Sequence, residues 1–459
     1  MSSSTSDLIY PRSFMDSNGD GVGDLNGITE KLPYLQETGI NAIWLSPIFL
    51  SPMYDAGYDI TDYRKIAPEF GTMEDFETLV AKAKELEIRV ILDFVPNHTS
   101  NESEWFIRSR QGDPEYADYY IWADGINSCT VGETLPPSNW VFQFRKSAWE
   151  YSVERGQFYL HQFVIGQPDL NYRNKKVQME MKDVLRFWLD LGISGYRMDA
   201  VNTMYEADPK VFCGRYPDEP RSGNPNTVPD DYDYLSHIYT KDQDETYEVI
   251  YDWREVLDEY TVKDEYKIMI TEAYTDIEHL MRYYGDGKRN GSIPFNFRLL
   301  TNVRMDSDAF EIKSIIDEWM ENMPVGRTAN WVNGNHDQSR LASRLGVKRT
   351  DAMNMLALIL PGVAFTYQGE ELGMTDGFVT WEETQDPGAC NTDDPINYWK
   401  QSRDPSRTPF HWDDSPNAGF STTDGKTWLP VADNYKEVNL EAQMNADKID
   451  CDGICLEKG

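Results

Sequence analysis

The sequence predicts an α/β protein built as a (β/α)8 TIM barrel, and three observations carry that reading. Apolar strand-like runs alternate with amphipathic helical runs at a spacing of roughly 40 residues, the rhythm of a parallel sheet whose strands return through helices. Several of these runs end in acidic, amide or His residues, which a parallel barrel gathers on one face. The clearest is Gly195-Tyr196-Arg197-Met198-Asp199, which follows the apolar helical run 184–191 and a turn at Gly192. Residues i and i+2 of a strand share a face, so Arg197 and Asp199 are expected to project together. The guanidinium is expected to hold that carboxylate ionised, at a lowered pKa.

Leu8-Ile9-Tyr10 reads as the first strand. The loop after it, Asp16-Ser17-Asn18-Gly19-Asp20-Gly21-Val22-Gly23-Asp24, resembles the start of an EF-hand loop. Its oxygen donors suit a structural Ca²⁺ held by Asp16, Asn18, Asp20, the Val22 carbonyl and Asp24. The closing bidentate Glu is absent, and an acidic Asx-turn loop without metal is the alternative. A helix over 28–37 precedes a strand over 42–46, whose exit loop carries Asp55, Tyr58 and Asp59. A helix over 73–86 leads to the strand 89–98, ending Asp93-Phe94-Val95-Pro96-Asn97-His98. Alternation then fails in a Trp-, Tyr- and Pro-rich stretch, which is expected to be a subdomain inserted after the third strand. A helix over 176–191 and the Asp199 strand resume the barrel. A Pro/Asp/Gly-rich loop over 216–233, a helix over 246–260 and a strand over 266–272 follow. Strands over 292–297, 330–332 and 363–367 complete the eight. The resulting division is 1–98 for the first part of the barrel, 99–174 for the insertion, 175–446 for the rest of the barrel and 447–459 for a short tail.

With 459 residues, 40% of them hydrophobic and 26% charged, the chain can bury a large core. Its formal net charge of −35 repels phosphate backbones and anionic lipid, so nucleic acid and membrane surfaces are poor partners, whereas a neutral substrate is indifferent to it. No signal peptide and no run long enough for a spanning helix is read in the sequence. The five cysteines, Cys129, Cys213, Cys390, Cys451 and Cys455, have no zinc-ligand spacing; Cys451 and Cys455 could pair locally.

The polar strand ends are Asp93/Asn97/His98, Arg197/Asp199, Glu272 and Asn335/His336/Asp337. Singly, each acid is more often a satisfied structural group. Gathered at one barrel face, they form the paired carboxylates that break glycosidic bonds, one ionised as nucleophile and one protonated as acid. Asp199 suits the first role and Glu272 the second.

These four segments resemble the signature regions of family 13 glycoside hydrolases, the alpha-amylase family. Gln167-Pro168-Asp169-Leu170-Asn171, Ile9-Tyr10-Pro11-Arg12-Ser13-Phe14 and Ser402-Arg403-Asp404-Pro405-Ser406-Arg407 resemble its α-glucosidase and oligo-1,6-glucosidase branch, which includes insect maltases. The resemblance implies a retaining, exo-acting α-glucosidase that takes glucose from maltose, malto-oligosaccharides or sucrose without an organic cofactor. Asp199 would be nucleophile, Glu272 general acid/base and Asp337 transition-state stabiliser. Asp55, Tyr58, His98, Arg197, His336 and Arg407 would bind the terminal glucose, Asp55 and Arg407 closing the pocket, with Phe163 and Gln167 in its wall. Ala200 after the nucleophile, where α-1,6 enzymes have Val, implies α-1,4 preference.

The resemblance also implies an extracellular or cell-surface location, consistent with sequons at Asn97, Asn101 and Asn290. Against the family pattern, the eighth helix and a C-terminal β-domain are expected to be missing, leaving the closing strands partly uncovered. A catalytically impaired shortened form, or a non-catalytic surface or receptor protein of the same fold, is the alternative. A sucrose isomerase or transglucosylase shares the same machinery.

Overall fold

The computed structural model of the chain describes residues 4–127, 134–262 and 265–449. Eight parallel strands form one sheet: β1 Ser4–Ile9, β2 Ala42–Leu45, β3 Arg89–Phe94, β4 Gly195–Met198, β5 Ile268–Thr271, β6 Ile293–Pro294, β7 Asn330–Val332 and β8 Val363–Tyr367. Hydrogen-bonded neighbours run β6-β5-β4-β3-β2-β1-β8-β7, so the first and last thirds of the chain meet along β1 and β8. The sheet is a nearly closed barrel. Between β6 and β7 the ladder is interrupted, because Pro294 occupies half of a two-residue strand and has no N–H to give. The Asn330 side chain bridges this seam, accepting from Asn296 N at 2.8 Å and donating to Pro294 O at 2.7 Å.

Helices return the chain between strands: α1 Leu25–Glu37, α2 Met73–Glu85, α3 Lys175–Asp190, α4 Asp244–Glu259, α5 Ile277–Arg282, α6 Ala309–Asn322, α7 Val347–Ile359 and α8 Leu440–Ile449. Their starts are written locally. Asp24 accepts from Gly27 N at the head of α1, which therefore begins three residues before the expected Ile28. Reciprocal capping boxes begin α2 (Thr72, Asp75) and α6 (Asp308, Glu311). The expectation that no helix would follow β8 is corrected. Asn439 accepts from Ala442 N at 2.7 Å as an N-cap, and Gln443 donates to Leu372 O at 2.8 Å, so ten residues of a polar stretch are helical and docked.

One apolar layer lies between strands and helices, built on residues such as Trp188, Trp253 and Trp331. A second fills the barrel with Tyr10, Trp44, Ile91, Phe295, Phe365 and Tyr367. Gly195 is required where β4 meets β5: a Cβ there would lie 2.0 Å from Ile268 O. Between β3 and α3 the chain forms a helix, Glu104–Arg110, and a small antiparallel sheet of Trp122–Ala123, Gln157–Leu160 and Trp149–Ser152 with its own aromatic core. Cys129, Cys451 and Cys455 lie outside the described residues, as does most of the 447–459 tail; Cys213 and Cys390 are exposed thiols. Among the described residues no helix is long and apolar enough to cross a membrane.

Candidate active site

The parallel register sets the site. Arg197 on β4 lies directly beside Asp93 on β3 and Ile270 on β5. Two residues further on, at the C-terminal ends, stand Asp199 and Glu272. All three carboxylates converge on one buried guanidinium. Arg197 Nη1 donates to Asp93 at 2.9 Å and to Asp199 at 2.6 Å, while Nη2 lies 2.6 Å from Glu272. Trp44 packs under the guanidinium, 4.8 Å from its ring centre. Ala200 turns the chain after Asp199 in the left-handed region (φ 41°), and its N–H donates to Glu272 Oε2 at 3.1 Å. A non-glycine residue in this conformation costs roughly 1 kcal/mol, and a β-branched one more.

The expectation that Arg197 would hold Asp199 at a lowered pKa is not met. Burial, opposed by Arg197 but reinforced by Glu272, Asp93 and Asp337, pushes the Asp199 carboxyl well up. Burial, against Arg197, likewise brings Asp93 to about 6. Asp93 and Asp199, buried beside one shared guanidinium, are thereby pushed toward their protonated forms. Asp337 is the opposite case. Burial raises it, but His336, Arg403, Arg407 and Arg197 together hold it well below the usual carboxylate range. Burial lowers His98 and His336 to about 3, so both rings are neutral at neutral pH.

The carboxylates open into a cavity of about 590 Å³ whose walls include Asp55, Tyr58, His98, Phe163, Asp199, Glu272 and Asp337. Four further expected residues lie behind that wall. His336 Nε2 is 2.7 Å from Tyr58 Oη, Gln167 donates to Asp55 Oδ2 at 3.1 Å, and Arg197 sits beneath the acids. Arg407 is the fourth, and here the expected pocket closure is corrected. Arg403, not Arg407, bonds Asp55 (2.9 Å), reaching Asp337 (3.1 Å) and Asp386 (2.7 Å) as well. Arg407 is 1% exposed, donating to Asp337 at 3.0 Å and to His336 O at 2.8 Å from the rear. Both arginines belong to the one motif 402–407, and its spacing alone does not say which faces the cavity. Asn97 is buried and donates to Asp169 at 3.1 Å, so it is no glycan acceptor in the folded chain, whereas Asn290 is exposed.

A family model, the alpha amylase catalytic domain, matches residues 8–449. The chain belongs to the alpha-amylase family. It is 56% identical to Maltase A1 of Drosophila melanogaster over 445 residues, covering 96% of this chain and 77% of that protein. It is 51% identical to the salivary alpha-glucosidase of Anopheles gambiae, with 96% and 74% covered. The crystal structure of the alpha-glucosyl transfer enzyme XgtA superposes with a TM-score of 0.85 at 35% identity, covering 96% of this chain and 80% of that one.

The acidic loop 16–24 follows β1 and is bonded to the chain around Ser421, whose hydroxyl donates to Asp16 at 2.6 Å. Its carboxylates accept from backbone amides: Asp16 from Gly19 (2.7 Å) and Gly21 (2.8 Å), Asp20 from Val22 (2.9 Å) and Asp24 from Ser17 (2.9 Å). Among the described residues no Lys or Arg pairs with these acids, and no three acidic, His or Cys side chains are gathered as a metal cluster.

Proposed function

We propose that this chain is a retaining α-glucosidase that removes single glucose units from the non-reducing ends of α-1,4-linked maltose and short malto-oligosaccharides. The observation that carries it is the convergence of Asp199 and Glu272 on adjacent nitrogens of the Arg197 guanidinium. That grip suits the close spacing, roughly 5–5.5 Å, at which one carboxyl attacks and the other protonates. Glu272 gives a proton to the leaving oxygen while the Asp199 carboxylate attacks the anomeric carbon. Glu272 then deprotonates the water that releases glucose from Asp199, and Asp337, held ionised, faces the positive charge developing on the ring. Arg403 and Asp55 close one end, which selects chain termini. The complete acid set disfavours the non-catalytic alternative.

The test is glucose release from maltose, with the anomer followed by NMR. The parent should release α-glucose first. Asp199→Asn should release none above background, and Glu272→Gln about 10²–10⁴-fold less. Arg403→Ala should lower kcat/KM by roughly 10²-fold, the effect of leaving buried Asp55 and Asp386 without their cation. First-formed β-glucose, or an active Asp199→Asn, would sink the proposal.

Ca²⁺ in the loop 16–24 is part of the same proposal, supported by its hard oxygen donors Asp16, Asn18, Asp20, Val22 and Asp24. A chelator should lower the melting temperature by a few degrees and added Ca²⁺ should restore it, with Asp20→Ala indifferent to both. A chelator without effect on the parent would leave the loop as an Asx-turn structure. The location proposed is extracellular or at the cell surface, with exposed Asn290 as glycan acceptor.

A further inference from the structure

Part of the cavity wall comes from the loop between β4 and α4, where Tyr232, Asp233 and Lys241 line it together with Asn202. This wall is built rigidly. Glu219 accepts from Ile238 N at 2.8 Å and from Tyr239 N at 2.6 Å, and His237 stacks on Tyr232 with ring centres 3.6 Å apart. Asp242 N donates to Asn202 O at 2.8 Å, tying the loop to the turn that follows Asp199. Lys241 therefore sits on a fixed support. Among the described residues its ammonium makes no hydrogen bond and no ion pair; its nearest aromatic neighbour is the Tyr232 ring, 5.1 Å from Nζ. Asp233 and Asp242 are close enough to act on it electrostatically. A half-buried cation lining a cavity without a bonded partner has its three donors available for a ligand.

Arg403, Asp55 and Asp337 line the same cavity, and the glucosidase reading on which this inference rests places the terminal glucose against them. The leaving sugar must then lie toward the loops that exit from Asp199 and Glu272. We infer that Lys241 is a specificity-determining residue of this enzyme, its ammonium donating to hydroxyls of the leaving sugar and so favouring a glycosyl over a hydroxyl-free aglycone. The chemistry fits a neutral polyol rather than an anionic aglycone, since Asp233 shares the wall.

The experiment compares maltose with 4-nitrophenyl α-D-glucoside, whose aromatic leaving group carries no hydroxyl for Lys241. Lys241→Met should lower kcat/KM for maltose about tenfold or more, chiefly through KM, and leave the aryl glucoside within about twofold of the parent. Lys241→Arg, which keeps the charge and donors, should recover part of the maltose loss. An equal fall on both substrates would assign Lys241 a merely structural role, and no change on either would remove it from the site; both outcomes overturn the inference. A parent that hydrolyses neither substrate would overturn the glucosidase reading and the inference with it.

Discussion

Asp199 and Glu370 are buried acids and Asp337 is a half-buried one, and they titrate differently because of who faces them. Asp337 has two arginines in contact and is held ionised; Asp199 shares one arginine with two other carboxyls and is not. Glu370, just past β8, has neither oxygen hydrogen-bonded. Burial, opposed by Arg344 and reinforced by Glu371, pushes its carboxyl up from 4.5 to about 8. Its folded pKa lies above its unfolded one, so its stabilising contribution is complete below about pH 4.5 and is lost as pH rises through about 8. Melting temperatures measured from about pH 5 to 8.5 should therefore fall more steeply for the parent than for Glu370→Gln. Parallel curves would show that Glu370 ionises freely in the folded chain.

Strands place the chemistry, and one strand pair is held by a side chain rather than a ladder. Pro294 ends β6 where β7 should pair with it, and Asn330 replaces the missing backbone bonds with one acceptor and one donor. Asn330→Leu would leave Asn296 N and Pro294 O buried without partners, at about 1–3 kcal/mol each. Thermal unfolding should shift down by several degrees, while an unchanged midpoint would mean that the seam is held elsewhere. The seam matters to function because Glu272 follows β5, the neighbour of β6, and Asn335 to Asp337 follow β7.

The net charge of −35 acts on the fold as a field of repulsion, with 78 acids against 43 bases. Many of those bases are already spent in surface ion pairs such as Arg186–Glu259 and Arg289–Glu248, which contribute little each. Raising the ionic strength from about 10 to 150 mM shortens the screening length from about 30 to about 8 Å. The melting temperature should rise over that range, and kcat/KM for neutral maltose should stay within about twofold. A melting temperature that falls instead would mean that the ion pairs outweigh the repulsion.

The barrel and its polar strand ends were legible because period, turn glycines and i/i+2 spacing are local properties. Asp93, Asp199, Glu272 and Asp337 could be named from their places at strand ends. Local pattern could not separate Arg403 from Arg407, since both sit in one six-residue motif and only the surrounding chain decides which faces the cavity. Nor could it foresee α8, whose N-cap Asn439 lies in a polar stretch without strong apolar periodicity. The Asp199 pKa was misjudged for a related reason: adjacency to Arg197 is written in the sequence, but Asp93 and Glu272 reach the same guanidinium only through strand register. Spacing along a chain sets direction, whereas the sharing of one charge among distant residues is set by how the strands meet.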